Sequence, residues 1–442
     1  MSLNELKSIL QSCGIVGAGG AGFPSYAKLA EGADTLVINA AECEPLIYTD
    51  YMLLRESLPA ILSGAAHVMA ASGISRTIIA VKKHRAELLG LADGECLADG
   101  IFVKLLTDAY PMGDEVNLVY EATGRLIAPA ALPITKGVIV LNAETIYNIN
   151  KAVERSKPVT DKWVTVGGEI ENPRVVRVPV GMRVRELFEK LGVTVSKNQL
   201  VLDGGPSMGR VINIATAVVT KTTKALLILP KEIPAAAHKI TSVEDMLRRA
   251  SSCCCGCSLC TDMCPRHLLG YPIEPHKMIR AANNAAIKDN PVMAINATLC
   301  CSCGVCAEVC CQDISPKDVI LSLKGLLAKE KLRFTAGNEV YTPSENRKYR
   351  LIPSGRWETM LGVRRFDVIP AYEPDLIAPK RVEIPLSGHI GAPSVAVVKK
   401  GDTVTRNTAI AECAAGLSLP QHASICGTVT LVDDKKIIIE AK

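Results

Sequence analysis

The sequence predicts a multidomain protein of the α/β class, and three observations support that prediction. The chain has 442 residues, a length typical of about three domains. Short apolar strand patterns alternate with helical patterns in its front part, and strand patterns alone return from about residue 381. Between these parts, 12 of the 17 cysteines lie in two short runs, which indicates a separate metal-binding module.

The composition excludes several classes of protein. The net charge of +5 is spread along the chain, without the basic block that would favour nucleic-acid binding. No apolar run approaches the roughly 18 residues that a membrane-spanning helix needs. The N-terminus has no basic segment followed by an apolar one, so we expect no secretory signal. The abundant free thiols predict a reducing, cytoplasmic environment.

The first predicted element is a short amphipathic helix. Its apolar residues are Leu3, Leu6, Ile9 and Leu10. A stripe of this kind usually packs on its own domain, although a targeting or partner-docking role stays open.

A glycine-rich loop, residues 14–24, predicts a phosphate-binding site. Glycines let the backbone turn tightly and leave amide N–H groups free to bind a phosphate. Glycine-rich loops of this kind also occur as ordinary turns that bind no ligand. The patterns that follow are a helix at 25–30, strands at 35–39, 75–81 and 101–106, and a helix at 84–91. This βαβ layout favours a nucleotide-binding α/β domain.

Both cysteine runs have the Cys-x2-Cys-x2-Cys-x3-Cys spacing of bacterial ferredoxins, and Pro265 follows the first run. Three close thiolates of such a run bind one face of a 4Fe–4S cluster, and the fourth normally reaches the other cluster. We therefore predict two 4Fe–4S clusters with crossed ligands. One has Cys254, Cys257, Cys260 and Cys310 as ligands, and the other has Cys300, Cys303, Cys306 and Cys264.

Other interpretations of the cysteines fit less well. Disulfides are typical of secreted chains, and zinc ribbons use paired Cys-x2-Cys knuckles instead of runs of four. Cys311 stands where the second run would have its proline. The roles of four neighbouring cysteines stay open, namely Cys253, Cys255, Cys301 and Cys311.

Four segments in order give the front of the chain a specific resemblance. They are the loop 17–24 with Lys28, and the segments 39–45, 110–115 and 142–145. Together they resemble the flavin-binding, NADH-oxidising subunit of respiratory complex I. The resemblance implies FMN bound at Gly17, Gly19, Gly20, Gly22, Lys28, Asn39, Asn142 and Thr145, with Gly113 in the same cofactor site. It also implies an NADH pocket lined by Phe23, Glu42, Glu44, Tyr110 and Glu115.

One departure from complex I is Ala41, which stands where that subunit has an acidic residue. A flavin or ribose contact is therefore missing or replaced. Taken singly, Glu42 and Glu44 would be ordinary surface charges and Tyr110 an ordinary half-buried aromatic. A soluble domain has no structural need for these residues together and in this order, so their joint presence favours a functional role.

The remaining segments complete the predicted organisation. Residues 163–209, rich in Gly and Val, resemble the β-grasp module called SLBB, and residues 381–442 resemble the barrel-sandwich hybrid domain of Rnf C subunits. The expected units are a Rossmann-like FMN and NADH domain at 1–158, an SLBB β-grasp domain at 159–238, a helical ferredoxin-type two-cluster domain at 239–345, a linker at 346–379, and an all-β barrel-sandwich hybrid domain at 380–442.

This domain order is similar to that of the propanediol-utilisation cobalamin reductases, whereas Rnf C subunits begin with the barrel-sandwich domain. The resemblance implies an NADH-dependent oxidoreductase that passes electrons through FMN and two 4Fe–4S clusters to cobalamin, and so keeps a diol dehydratase active. The partners it implies are cobalamin, a cobalamin-handling adenosyltransferase, microcompartment shell proteins or other redox proteins. The implied location is the cytoplasm or a bacterial microcompartment within it.

Two alternatives stay open. One is an Rnf-C-like subunit that takes electrons from NADH for another acceptor. The other is a non-enzymatic redox adaptor that relays electrons between proteins, with a degenerate nucleotide site, which the Ala41 departure would allow.

Overall fold

The computed structural model describes residues 1–283, 294–337 and 339–442. The first domain contains strands β1 (Thr35–Asn39), β2 (Arg76–Lys82), β3 (Cys96–Ala98), β4 (Ile101–Leu106), β5 (Ala109–Tyr110) and β6 (Val138–Asn142), and helices α1 (Leu3–Ser12), α2 (Thr49–Ser72), α3 (Lys83–Leu89), α4 (Glu115–Thr123) and α5 (Ala143–Arg155). Five strands form a sheet in the order β3-β4-β2-β1-β6. Within it β3 pairs antiparallel and the other strands pair in parallel.

Both faces of this sheet are buried, which explains why its strands are almost entirely apolar. On one face, Leu36 and Ile38 share a hydrophobic core with α1, α2 and α5. On the other face, Val37 shares a core with α4 and with Tyr271 and Leu323 of the cysteine-rich domain. The cysteine-rich domain therefore packs directly on the predicted nucleotide-binding domain.

The second domain is a small mixed sheet with one helix. Its elements are β7 (Asp161–Gly168), β8 (Arg174–Pro179), α6 (Val184–Leu191), β9 (Gln199–Asp203), β10 (Arg210–Ile212) and β11 (Ala225–Pro230). A sixth strand, β13 (Ala371–Leu376), is contributed by a distant part of the chain and pairs in parallel with β8, so the order is β10-β9-β11-β7-β8-β13. Apolar residues of α6 pack on this sheet.

The segment 346–379, which the sequence predicts as a linker, is folded onto the first two domains. Besides β13 it contains α14 (Arg347–Arg350), β12 (Ile352–Pro353) and α15 (Ser354–Met360). β12 pairs with β5 of the first domain, while β13 extends the sheet of the second. The segment connects the cysteine-rich and C-terminal domains and also adds strands to the first two.

The cysteine-rich domain is helical. Its helices are α7 (Pro234–Ile240), α8 (Val243–Cys253), α9 (Leu259–Asp262), α10 (Pro265–Leu268), α11 (Pro275–Asn283), α12 (Val305–Glu308) and α13 (Pro316–Lys329). Met246, Ile279 and Val319, from α8, α11 and α13, form a small core. A helix predicted at 278–288 starts within α11, and its last five residues lie outside the described part of the chain.

The C-terminal domain is built from short strands. They are β14 (Arg381–Pro385), β15 (Val395–Ala396), β16 (Thr403–Val404), β17 (Ala409–Glu412), β18 (Gln421–His422), β19 (Gly427–Val432) and β20 (Lys436–Ala441). They form a four-stranded sheet, β14-β20-β19-β16, and a three-stranded sheet, β15-β17-β18. Val382, Ile410 and Ile439 share the core between these strands.

A buried aspartate joins three of these domains. Asp161 at the start of β7 pairs with Lys151 of α5 at 3.2 Å, and with Arg177 of β8 and Arg406 of the C-terminal domain at 2.8 Å each. These cations outweigh the effect of burial and hold the pKa of Asp161 well below its usual range. Among the helices that the structure describes, none is both long and apolar enough to cross a membrane.

Candidate flavin and iron–sulfur site

One large cavity lies where the first, second and cysteine-rich domains meet. Its volume is about 750 Å³, within the range of about 300–1,000 Å³ usual for small-molecule sites. The wall also includes Cys301 and Cys303. The predicted flavin and NADH residues that line it are Gly17, Gly19, Gly20, Gly22, Phe23, Lys28, Asn39, Glu42, Glu44, Gly113, Glu115, Asn142 and Thr145. The fold thus brings these predicted residues, far apart in sequence, to one place.

The edge of the parallel sheet positions one end of this cavity. The neighbouring strands β1 and β6 end in register at Asn39 and Asn142, and α/β sheets bind ligands at this carboxyl edge. Asn142 also caps α5, because its Oδ1 accepts a hydrogen bond from the Glu144 amide at 3.0 Å. The glycine loop is attached to the same turn, since the Ala18 amide donates to Thr145 Oγ1 at 3.1 Å. A helix N-terminus beside a glycine loop is suited to a phosphate.

The glycine loop leaves room for a ligand to approach its backbone. A β-carbon at Gly20 would meet no atom within 4 Å, whereas one at Gly19 would lie 3.1 Å from Asn142 Nδ2. Gly22 has a φ of +76°, and a β-carbon there would lie 2.8 Å from the Thr222 side chain of the second domain. The loop is therefore open on one side and packed on the other, which fits a phosphate-bearing cofactor such as FMN.

Lys28 and Glu115 form an ion pair in the cavity wall. Lys28 Nζ donates to Glu115 Oε1 at 2.8 Å, and the two side chains are 31% and 37% exposed. A pair this accessible is weak, so either group can exchange its partner for a ligand atom.

Replacing Lys28 with alanine is expected to weaken FMN binding about 10-fold or more, the size usual for one charge-assisted hydrogen bond. The dissociation constant is measured from flavin fluorescence during dilution of the loaded protein. Lys136→Ala, an exposed lysine outside the cavity, is the matched control. Full retention of FMN by Lys28→Ala would remove Lys28 from the phosphate site.

Glu42 lines the cavity, but its carboxylate also caps α2. Its Oε1 accepts from Thr49 Oγ1 at 3.0 Å and from the Asp50 amide at 2.7 Å, and its Oε2 accepts from the Tyr51 amide at 3.1 Å. Burial, with Asp50 close by, raises the pKa of this carboxyl group. The resemblance assigns Glu42 to NADH binding, and the structure adds a local reason for a carboxylate at this position.

Tyr110 lies behind the cavity wall and not in its lining. It is 2% exposed because its ring stacks on Trp357 of α15, with centroids 4.5 Å apart. Its hydroxyl lies 2.8 Å from Glu44 Oε1 and 2.6 Å from the Cys303 carbonyl. The other oxygen of Glu44 accepts from the Ser207 amide at 2.9 Å. Tyr110 and Glu44 therefore connect the nucleotide-binding domain with the second domain and with a predicted cluster ligand.

One set of predicted cluster ligands lies together in a buried pocket, as the crossed pairing requires. Its members are Cys264, Cys300, Cys303 and Cys306. Burial raises the pKa of the Cys264 thiol to about 12 and that of Cys300 to about 11. Iron bound here would supply the positive charge that stabilises the thiolates. The Ser302 amide lies 3.2 Å from Cys300 Sγ and donates to it, a contact that tunes cluster sulfurs. This donor set fits a 4Fe–4S cluster.

The other set of predicted ligands lies nearer the surface. Burial and the neighbouring thiols of Cys310, Cys257 and Cys254 raise the pKa of Cys260 to about 12. The four predicted ligands are thus close to one another, although the two runs that supply them are far apart in sequence. Cys257 is exposed. This donor set also fits a 4Fe–4S cluster, with one side near solvent.

The cavity and the two cysteine sets are contiguous. Cys303 lines both the large cavity and the buried pocket. Cys306 of the buried set has its pKa raised well above the usual range by burial and by nearby thiols, among them Cys260 of the exposed set. The buried set therefore lies between the cavity and the exposed set.

Two extra thiols accompany the exposed set, because the Sγ atoms of Cys255, Cys257 and Cys311 lie within 4.8 Å of one another. We expect Cys257→Ala to lower the iron content from about eight to about four atoms per chain after anaerobic reconstitution. Cys255→Ser and Cys311→Ser, the matched controls, should leave it unchanged. Unchanged iron in Cys257→Ala, or lost iron in either control, would contradict the predicted ligand frame.

The comparisons with protein families agree with this architecture. Residues 10–151 match the Nuo51 FMN-binding domain, 163–211 the SLBB domain, 253–315 a 4Fe–4S dicluster domain, and 374–442 the RnfC barrel sandwich hybrid domain. They confirm the predicted fold class and the predicted cofactors. The fold and the site together define an oxidoreductase that contains FMN and two 4Fe–4S clusters.

Comparisons with individual proteins identify the family. The chain is 38% identical over 445 residues to the cobalamin reductase PduS of Salmonella typhimurium, covering 99% of this chain and 97% of that protein. It is 37% identical to PduS of Citrobacter freundii, covering 98% and 96%. A component of the Na⁺-translocating ferredoxin:NAD⁺ oxidoreductase complex of Acetobacterium woodii is 29% identical, over 61% of this chain and 59% of that component. The chain belongs to the PduS family of cobalamin reductases.

Proposed function

We propose that this protein oxidises NADH at a bound FMN and reduces cobalamin with electrons that pass through its two 4Fe–4S clusters. A flavin accepts two electrons as hydride and releases them singly, as one-electron clusters require. The observation that carries the proposal is the position of Cys303, which lines both the nucleotide cavity and the buried cysteine pocket. The exposed set at Cys257 then provides an exit at the surface.

Cobalamin is the proposed acceptor because the near full-length relatives are named cobalamin reductases. The sequence has no Asp-x-His-x-x-Gly motif for ligating cobalt, so the corrin docks transiently or is presented by a partner such as an adenosyltransferase. A place within a bacterial microcompartment, near shell proteins, belongs to the same proposal and rests on the resemblance to the propanediol-utilisation reductases.

Two other candidate functions have less support. The match to the ferredoxin:NAD⁺ oxidoreductase component is partial, whereas the match to cobalamin reductases spans the chain. A redox adaptor would not need the glycine loop, the capped helix and the charged wall that surround a cavity of about 750 Å³.

The test is anaerobic addition of NADH to the FMN-loaded, cluster-loaded protein, with visible spectra recorded in the presence and absence of cob(III)alamin. We expect the flavin and cluster bands to bleach and cobalamin then to be reduced. Absence of bleaching despite bound FMN would exclude direct NADH oxidation and favour the adaptor. Bleaching without cobalamin reduction would favour another acceptor.

A further inference from the structure

Lys224, a residue of the second domain, faces the nucleotide cavity of the first. It directly precedes β11 and its side chain is 12% exposed. Its Nζ donates to Oδ1 of Asp50, and the other oxygen of Asp50 accepts from Asn142 Nδ2 at 2.9 Å. The carboxylate of Asp50, 2% exposed, thus connects Lys224 to the residue that caps α5.

The chain around Lys224 also touches the glycine loop. Thr222 lies against Gly22, and Asn142 lies against Gly19, each within about 3 Å of where a β-carbon would stand. All of these residues line the same cavity. Lys224 therefore lies at the end of the cavity formed by the loop and the N-terminus of α5, where the sequence and the geometry both favour a phosphate.

Lys224 keeps its positive charge and has further N–H donors available for a ligand. Burial opposes the charge, but the carboxylates of Asp50 and Glu42 outweigh it and raise the pKa of Lys224. An ammonium group has three N–H donors. Within the described residues, Lys224 Nζ donates a hydrogen bond to Asp50 and to no other acceptor. A lysine held in this way binds an anion as an oriented point charge.

We propose that Lys224 binds the phosphate of FMN, so that the second domain completes the flavin site of the first. This inference rests on the proposed flavin site. It assigns to the second domain a direct role in cofactor binding.

Riboflavin lacks the phosphate of FMN and so isolates its contribution. The full chain, loaded with clusters and freed of flavin, is titrated with FMN and with riboflavin, and flavin fluorescence is followed. We expect Lys224→Met to raise the dissociation constant for FMN about 10-fold to 100-fold and to leave that for riboflavin within about 2-fold. Lys224→Arg should retain most of the FMN affinity. Lys231→Met, on the same domain but outside the cavity, is the matched control.

Lys224→Met leaves the buried Asp50 without its cation, which can destabilise the fold. The double variant Asp50→Asn with Lys224→Met removes that charge and should lose FMN affinity while still binding riboflavin. Unchanged FMN affinity of Lys224→Met would overturn the inference. If the KM of that variant for NADH rose at the same time, Lys224 would be assigned to the dinucleotide instead. Equal losses for both flavins would also overturn it. Failure of the unaltered protein to bind either flavin would overturn the proposed flavin site itself.

Discussion

Cys264→Ser is expected to remove the buried cluster and to stop cobalamin reduction, while NADH still reduces the flavin. The reason is that Cys264, although it ends the first cysteine run, lies in one pocket with Cys300, Cys303 and Cys306 of the second run. Iron should fall from about eight to about four atoms per chain, since one of two 4Fe–4S clusters is lost. Iron content, flavin bleaching by NADH and cobalamin reduction are measured on the same preparation.

Pairs of substitutions distinguish crossed from uncrossed ligands. With crossed ligands, Cys264→Ser combined with Cys303→Ser removes two ligands of the same cluster, so about four irons remain. Cys264→Ser combined with Cys257→Ser instead removes one ligand from each cluster, so almost no iron remains. The uncrossed arrangement predicts the opposite pattern, so finding that pattern would contradict the pairing. Cys253→Ser, outside both sets, serves as the control.

Lys162→Met is expected to destabilise the fold by about 3–5 kcal/mol, because it removes one side of a fully buried ion pair between β7 of the second domain and α5 of the first. Lys162 and Glu144 are 0% and 1% exposed and are joined at 2.5 Å. Glu144 lies in the first turn of α5, beside Asn142 and Thr145 of the predicted flavin site. Loss of the cation leaves its carboxylate buried and unpaired, so FMN affinity should fall together with stability.

The measurement is chemical denaturation of the full chain. Lys162→Met combined with Glu144→Gln removes both charges and should recover most of the loss. Arg248→Ala breaks an exposed pair with Asp245 and should change stability by about 1 kcal/mol or less. An effect of Lys162→Met as small as that of Arg248→Ala would contradict the importance of the buried pair.

Local elements of the fold could be predicted from the sequence because their signals are local. The predicted strands 35–39 and 101–106 coincide with β1 and β4. The glycine loop was also recognisable from its composition, whereas the segments 39–45 and 142–145 were assigned through the resemblance to the complex I subunit. The cysteine spacing is a local signal of the same kind, and the two ligand sets that it predicts stay a prediction.

Other parts of the site depend on contacts between distant residues, for which a single sequence carries no signal. Lys224 meets Asp50 across 174 residues of chain. Tyr110 was assigned to the NADH pocket by resemblance, yet it is covered by Trp357, a residue of the predicted linker. The same linker supplies β13 to the second domain. Residue type and periodicity do not reveal such pairings, because they arise only when the domains pack.

Electron transfer from NADH through the exposed cluster to cobalamin is tested by rapid anaerobic mixing of NADH and cob(III)alamin with the fully loaded protein and with Cys257→Ala, which should lack the exposed cluster. Flavin and cobalamin absorbance are followed in the same experiment. We expect NADH to reduce the flavin equally fast in both proteins, and cobalamin to be reduced rapidly only by the unaltered protein. Equally fast cobalamin reduction by Cys257→Ala would mean that the exposed cluster is not the exit, and would contradict the proposed path.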